Sequence, residues 1–110
     1  MTTSQEGILL KIILDEEESF HHKPLYEQIV FEAKKLGLSG ATVFKGIMGY
    51  CANKSIHSTK LLRLAEDLPI IIEIIDSQDN IDKLLPFINE HIQKLVVTMT
   101  TVKQLKYQPE

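Results

Sequence analysis

Lys45, Gly46 and Gly49, with Lys54, His57 and Lys60 close behind them, are the residues of this chain best placed to do chemistry. Glycine bares backbone N–H groups and lysine supplies a point charge, so the set could hold a phosphate or another small anion. The plainer reading is a bulged strand followed by a solvated loop. His57 stands among the hydroxyls of Ser55, Ser58 and Thr59. It could contact a ligand or fix the loop by hydrogen bonding. Tyr50 could stack on a ligand base or pack at a subunit contact. Lys103, with Lys106, could reach a neighbour's cleft or protect an edge strand from aggregation. Glu66 and Asp67 are adjacent acids, but no nucleophile–base constellation accompanies them, and they read as a turn before Pro69. The expectation is therefore a protein without catalytic residues, not an enzyme. His21 and His22 lie near the acids Asp15–Glu18, yet the chain carries no Cys/His spacing of a zinc site, so no metal ligands are assigned.

These residues must be positioned by a folded frame. Ile8 to Leu14 is a β-branched and leucine run broken by Lys11, a strand signal apolar on both faces. A polar loop follows from Asp15 to His22. Pro24 suits the first turn of a helix. Leu25, Ile29, Ala33 and Leu36 then repeat at helical spacing until Gly37, which can take a left-handed cap. Ala41 to about Gly49 returns to extended structure, and its glycines mark a bulge or a close backbone approach. Ile70 to Ile75, interrupted by Glu73, is the most strand-like run. Ser77 and Asp79 are candidate helix caps. Ile81, Leu84, Leu85, Ile88 and Ile92 form a second helical stripe, with Pro86 inside it as a kink or an effective start. Leu95 to Lys106 alternates loosely and reads as a partly exposed last strand.

The totals narrow the class. At 110 residues, 44% of them hydrophobic, the chain is one domain, 1–110, with polar ends at 1–6 and 107–110. A net charge of -3 and a pI near 5.8 speak against non-specific nucleic-acid binding. The lone Cys51 offers no internal disulfide, which fits a reducing compartment. No apolar run approaches the roughly 20 residues of a membrane span, and no signal segment is visible, so a cytoplasmic location without direct membrane insertion is expected.

The element order is strand, helix, strand, strand, helix, strand. Right-handed crossovers then favour an α+β, ferredoxin-like βαββαβ sandwich, a four-stranded antiparallel sheet with both helices on one face. The first and third strands become central. Both are apolar on both faces, and two helices cover one face only, so a homo-oligomer should bury the other. Hiding about 500 Å² of apolar surface per subunit is worth roughly 12 kcal/mol before association costs. Lys11 and Glu73, the lone charges in those strands, should approach each other.

The run from Gly40 to Tyr50 (Gly-Ala-Thr-Val-Phe-Lys-Gly-Ile-Met-Gly-Tyr), then Ile56-His57, then Leu62 to Pro69, then Glu73 to Asp76, resembles a PII-like family. It is the group catalogued as domain of unknown function one-ninety. Leu25-Tyr26-Glu27 and the turn from Gly37 to Gly40 also match. The resemblance implies a ferredoxin-like fold, a PII-like homotrimer, and an anionic small molecule bound in clefts between subunits, with an adenine nucleotide the leading ligand. It implies signalling through the 50–60 loop to a partner such as a membrane transporter. The ligand-binding residues carried over are Lys45, Gly46, Gly49, Tyr50, Lys54, His57, Lys60 and Lys103. Two positions depart from the pattern: Lys45 replaces arginine, and Cys51 replaces glycine. The segment His91 to Val97 has no glycine, so a smaller nucleotide or another anion fits better than a triphosphate held in the PII manner. The alternative on the same fold is a metal-handling protein of the copper-tolerance type, with His21, His22 or His57 as ligands.

Overall fold

The computed structural model describes residues 2–50, 57–58 (backbone only), 68–91 and 95–109. Four strands and two helices make the frame: β1 (Thr2–Asp15), α1 (Leu25–Lys35), β2 (Thr42–Lys45), β3 (Pro69–Asp76), α2 (Gln78–His91) and β4 (Val96–Tyr107). The sheet runs β2-β3-β1-β4 and every pairing is antiparallel. The expected ferredoxin-like topology, with β1 and β3 central, is the one observed.

Strand alternation sorts the side chains. Leu10, Ile12 and Leu14 of β1 and Ile70, Ile72 and Ile74 of β3 are buried beneath Leu25, Ile29 and Ala33 of α1 and Ile81, Leu84 and Ile88 of α2. Ile92, the last residue of the expected α2 stripe, lies outside the described residues. Pro86 sits inside α2 rather than at its start. The Pro86 side is exposed, so the lost amide bond falls where water can serve the freed carbonyl.

The helix ends follow local chemistry. Gly37 has φ +86, and the Leu38 and Gly37 amides donate to the carbonyls of Ala33 and Lys34, closing α1 in the two-bond left-handed form that glycine permits. Ser77 Oγ accepts from the Asn80 amide at 3.2 Å and caps α2.

The opposite face is arranged in rows. Val96, Ile13, Ile71 and Phe44 line up across all four strands. Beside them runs Thr98, Lys11, Glu73 and Thr42. There Lys11 Nζ lies 3.6 Å from Glu73 Oε2, the pairing that the two lone charges required. Leu9 and Ile75 open a third row, and Ile75 is 43% exposed.

Two elements run beyond the sequence pattern. β1 starts at Thr2 rather than Ile8, because residues 2–7 pair with 102–107 as a two-stranded ribbon past the end of β3. The loop expected over Asp15–His22 contains a tight hairpin in which Ser19–Phe20 pairs with Lys23–Pro24. Its turn residues, His21 and His22, both adopt positive φ, 53 and 63. Gln28 Nε2 fastens this hairpin to α1 by donating to the carbonyls of Phe20 (2.9 Å) and Lys23 (3.0 Å).

Candidate functional site

The site forms where β2 leaves the sheet. Extended pairing with β3 ends at Lys45, opposite Ile70. One further bond, from the Gly46 amide to the Pro69 carbonyl at 2.8 Å, turns the chain away. Met48–Gly49 then pairs with Ser58–His57, so the connector is bridged at its base by a short ladder. Extended structure therefore does not run unbroken to Gly49; it is interrupted at Gly46 and Ile47.

Gly46 and Gly49 both lie against Pro69. Gly49 has φ +154, and a Cβ there would stand 3.0 Å from Pro69 Cγ. Glycine is required at this position by conformation and by space. Gly49→Ala is expected to cost about 1–2 kcal/mol from backbone strain. Gly46→Ala, whose added Cβ finds its nearest neighbour at 3.4 Å, costs less. Urea midpoints of the two variants check the order.

Lys45 is engaged. Its Nζ lies 2.9 Å from Glu16 Oε2. Glu16 follows β1, and its amide donates to the Leu68 carbonyl at 3.0 Å. The Glu16 and Gly46 amides thus hold consecutive carbonyls, Leu68 and Pro69, and this fixes the acid beneath the lysine. Glu16 Oε1 is buried and accepts no hydrogen bond. Sequence reasoning missed Glu16 as part of the site. Only strand order and register bring the end of β1 to the end of β2, and no local spacing announces it.

The structure brings Lys45, Gly46, Gly49 and the His57 backbone together. Tyr50, next along, is 64% exposed, and Ile47 and Met48 are exposed beside it. Lys54 and Lys60 lie outside the described residues, as does the His57 side chain. Lys103 is elsewhere: it pairs with Glu6, whereas Lys45 is level with Leu14. Glu6 and Leu14 are separated by about 26 Å at roughly 3.3 Å per strand residue. Within one subunit Lys103 and Lys45 do not meet. Among the described residues no three His, Cys, Asp or Glu side chains gather as a ligand set. The His21 ring instead packs edge-on against Phe20 at 4.0 Å. No described helix is long and apolar enough to cross a membrane.

One carboxylate behind the site is strongly organised. Asp76, at the end of β3, is 6% exposed. It accepts from the amides of Ser39 (2.8 Å) and Ser77 (2.7 Å) and from Asn80 Nδ2 (2.9 Å). Burial pushes its pKa up, but the hydrogen bonds from Asn80, Ser39 and Ser77 outweigh it and hold the group below the usual carboxylate value. Asp76 ties the α1–β2 turn to the start of α2, and so fixes where β2 begins.

Comparison with known proteins gives matches of three kinds. The model of the DUF190 family, described as uncharacterized ACR, matches residues 7–104. A UPF0166 protein of Aquifex aeolicus is 46% identical over 77 residues, 70% of this chain and 73% of that protein. A UPF0166 protein of Methanocaldococcus jannaschii is 40% identical over 85 residues, 77% of this chain and 78% of that one. Among solved structures, a putative PII-like signaling protein from Thermus thermophilus superposes with TM-score 0.66 at 20% identity, covering 92% of this chain and 91% of that one. CPII, a nitrogen regulatory PII-like protein from Thiomonas intermedia K12 bound to ADP, AMP and bicarbonate, gives 0.63 at 18% identity, covering 93% and 91%. At these identities the structures establish a shared PII-like fold.

Proposed function

Because the chain belongs to the DUF190 family, we propose that it is a PII-like regulatory protein that binds an anionic small molecule without transforming it. The leading ligand is an adenine nucleotide of one or two phosphates, held in clefts between the subunits of a homotrimer. The observation that carries this reading is the Lys45–Gly49 corner. Two glycines turn the chain against Pro69 beside a lysine, at the base of the connector. Such a corner sets a half-exposed lysine at a tight turn, where a ligand anion would compete with Glu16 for its ammonium. The nucleotides and bicarbonate bound to CPII support the ligand class.

The trimer is supported by the open sheet face, whose apolar row from Val96 to Phe44 has no cover among the described residues. In such an assembly Lys103, remote from Lys45 in its own subunit, would belong to a neighbour's cleft. Lys54, His57 and Lys60 would belong to the ligand-binding set as well. The ordered connector would then meet a partner such as a membrane transporter at the cytoplasmic surface.

Titration calorimetry against AMP, ADP, ATP and cyclic nucleotides, with and without bicarbonate, tests the reading. Heat is expected with AMP or ADP, and Lys45→Ala should weaken that binding by about tenfold through the lost charge-assisted contact. Absence of heat with every nucleotide removes the ligand claim.

A further inference from the structure

We propose that Glu16 sets the charge limit of this site: by holding Lys45 in an ion pair, it leaves the corner open to weakly charged ligands and closed to polyanions. The proposal rests on the reading of the Lys45–Gly49 corner as the anion end of the cleft. The distance carries it. At 2.9 Å the Glu16 carboxylate competes directly with a phosphate oxygen for the Lys45 ammonium and takes one of its three donors. The pair is neutral as a unit, so an arriving anion meets little net attraction.

An anion that pulls Lys45 away leaves an ionised carboxylate behind. That carboxylate is poorly provided for, because Oε1 already lacks a donor and its side chain is 19% exposed. Drawing the lysine away from a partly buried carboxylate costs the carboxylate that stays, though less than in a fully buried pair because water reaches the lysine side. The Glu16 backbone is fastened to Leu68 through its amide, so only rotation of the side chain could carry the carboxylate off the lysine. The repulsion between this carboxylate and a ligand grows with each added ligand charge. Asp15, Glu17 and Glu18 share the same turn, and the Glu17 amide donates to Asp15 Oδ1 at 2.9 Å, so the acidic segment is locally ordered. A monophosphate therefore loses little from Glu16, and a triphosphate loses much.

The intact protein is titrated with AMP, ATP and inorganic tripolyphosphate, beside Glu16→Gln, Glu16→Ala and the double variant Glu16→Gln/Lys45→Gln. Circular dichroism establishes that each is folded. Glu16→Gln is expected to tighten AMP by no more than about threefold, and ATP and tripolyphosphate by about tenfold or more, with the gain shrinking at high salt. Glu16→Ala should repeat the pattern without an amide in the site, and the double variant should lose the gain. Should neither single variant bind ATP or tripolyphosphate more tightly than the unaltered protein, or should the gain be equal for all three ligands, the proposal is overturned. If no nucleotide binds but tripolyphosphate tightens on Glu16→Gln, the adenine reading fails and the charge limit stands.

Discussion

Replacing Ile71 with aspartate is expected to return the protein as single folded subunits. Ile71 sits at the centre of the open face, between Ile13 on β1 and Phe44 on β2. If copies of the chain meet on this face, each contact buries a new carboxylate against an apolar row with no cation beside it. The nearest pair, Lys11 and Glu73, already satisfies itself. The gross gain from covering the face is roughly 12 kcal/mol for about 500 Å² per subunit, but association consumes much of it. A buried unpaired charge costs about 3–5 kcal/mol, enough to reverse the small remainder. The fold itself should survive, because Ile71 points away from the helices. Light scattering at micromolar concentration is the measurement. Phe31→Asp, on the outer side of α1 where Phe31 is 68% exposed, should leave the mass unchanged. An oligomer that persists in Ile71→Asp means the copies meet elsewhere, and the clefts between them go too.

The frame was legible because burial wrote it into the side chains. Lys11 and Glu73 each interrupt an apolar run once. Placing both runs at the centre of one sheet requires the two charges to pair, and the register sets them opposite each other. The end of α1 was legible because Gly37 does what few other residues can. What escaped the sequence is structure held by backbone alone. Residues Thr2–Glu6 are polar and exposed, with no alternation to read, and they join β1 only through their pairing with β4. The hairpin turn at His21 and His22 was hidden for another reason. Asparagine and glycine are the usual residues at positive φ, and two histidines give no such signal. Among the candidate residues, Lys45, Gly46 and Gly49 could be grouped from the sequence because they are neighbours in the chain. Glu16 was not, because its role depends on the path of β3 between two strand ends. Lys103 carries the matching lesson. Within one subunit it stands a ribbon's length from Lys45, and only strand pairing, not local spacing, reveals that separation.

Asp76→Ala is expected to lower stability by about 3 kcal/mol, the larger part from donors left without an acceptor. The Ser39 and Ser77 amides and the Asn80 side chain all converge on this one carboxylate. Its loss also removes a negative charge from the N-terminal end of α2, worth a few tenths of a kcal/mol to about 1. Asp76→Asn keeps one acceptor oxygen and gives up the charge, so a smaller loss is expected. The pH dependence separates the two contributions. The folded carboxyl is held below its ordinary value of 3.8, so near that pH the unfolded chain takes up the proton more readily than the folded one. The stabilisation is therefore complete at pH values well above 3.8 and is lost as pH falls through the depressed folded value. Urea unfolding of the unaltered protein and of Asp76→Asn between pH 7 and about 3 checks the sign. Their difference should be flat at neutral pH and should narrow in acid. A difference that widens in acid would mean that burial, not the hydrogen bonds, governs this group. Since the Ser39 bond fixes where β2 begins, the same substitution should also loosen the Lys45 corner. Ligand affinity in Asp76→Asn should then fall further at pH 7 than that of a surface control such as Asp82→Asn.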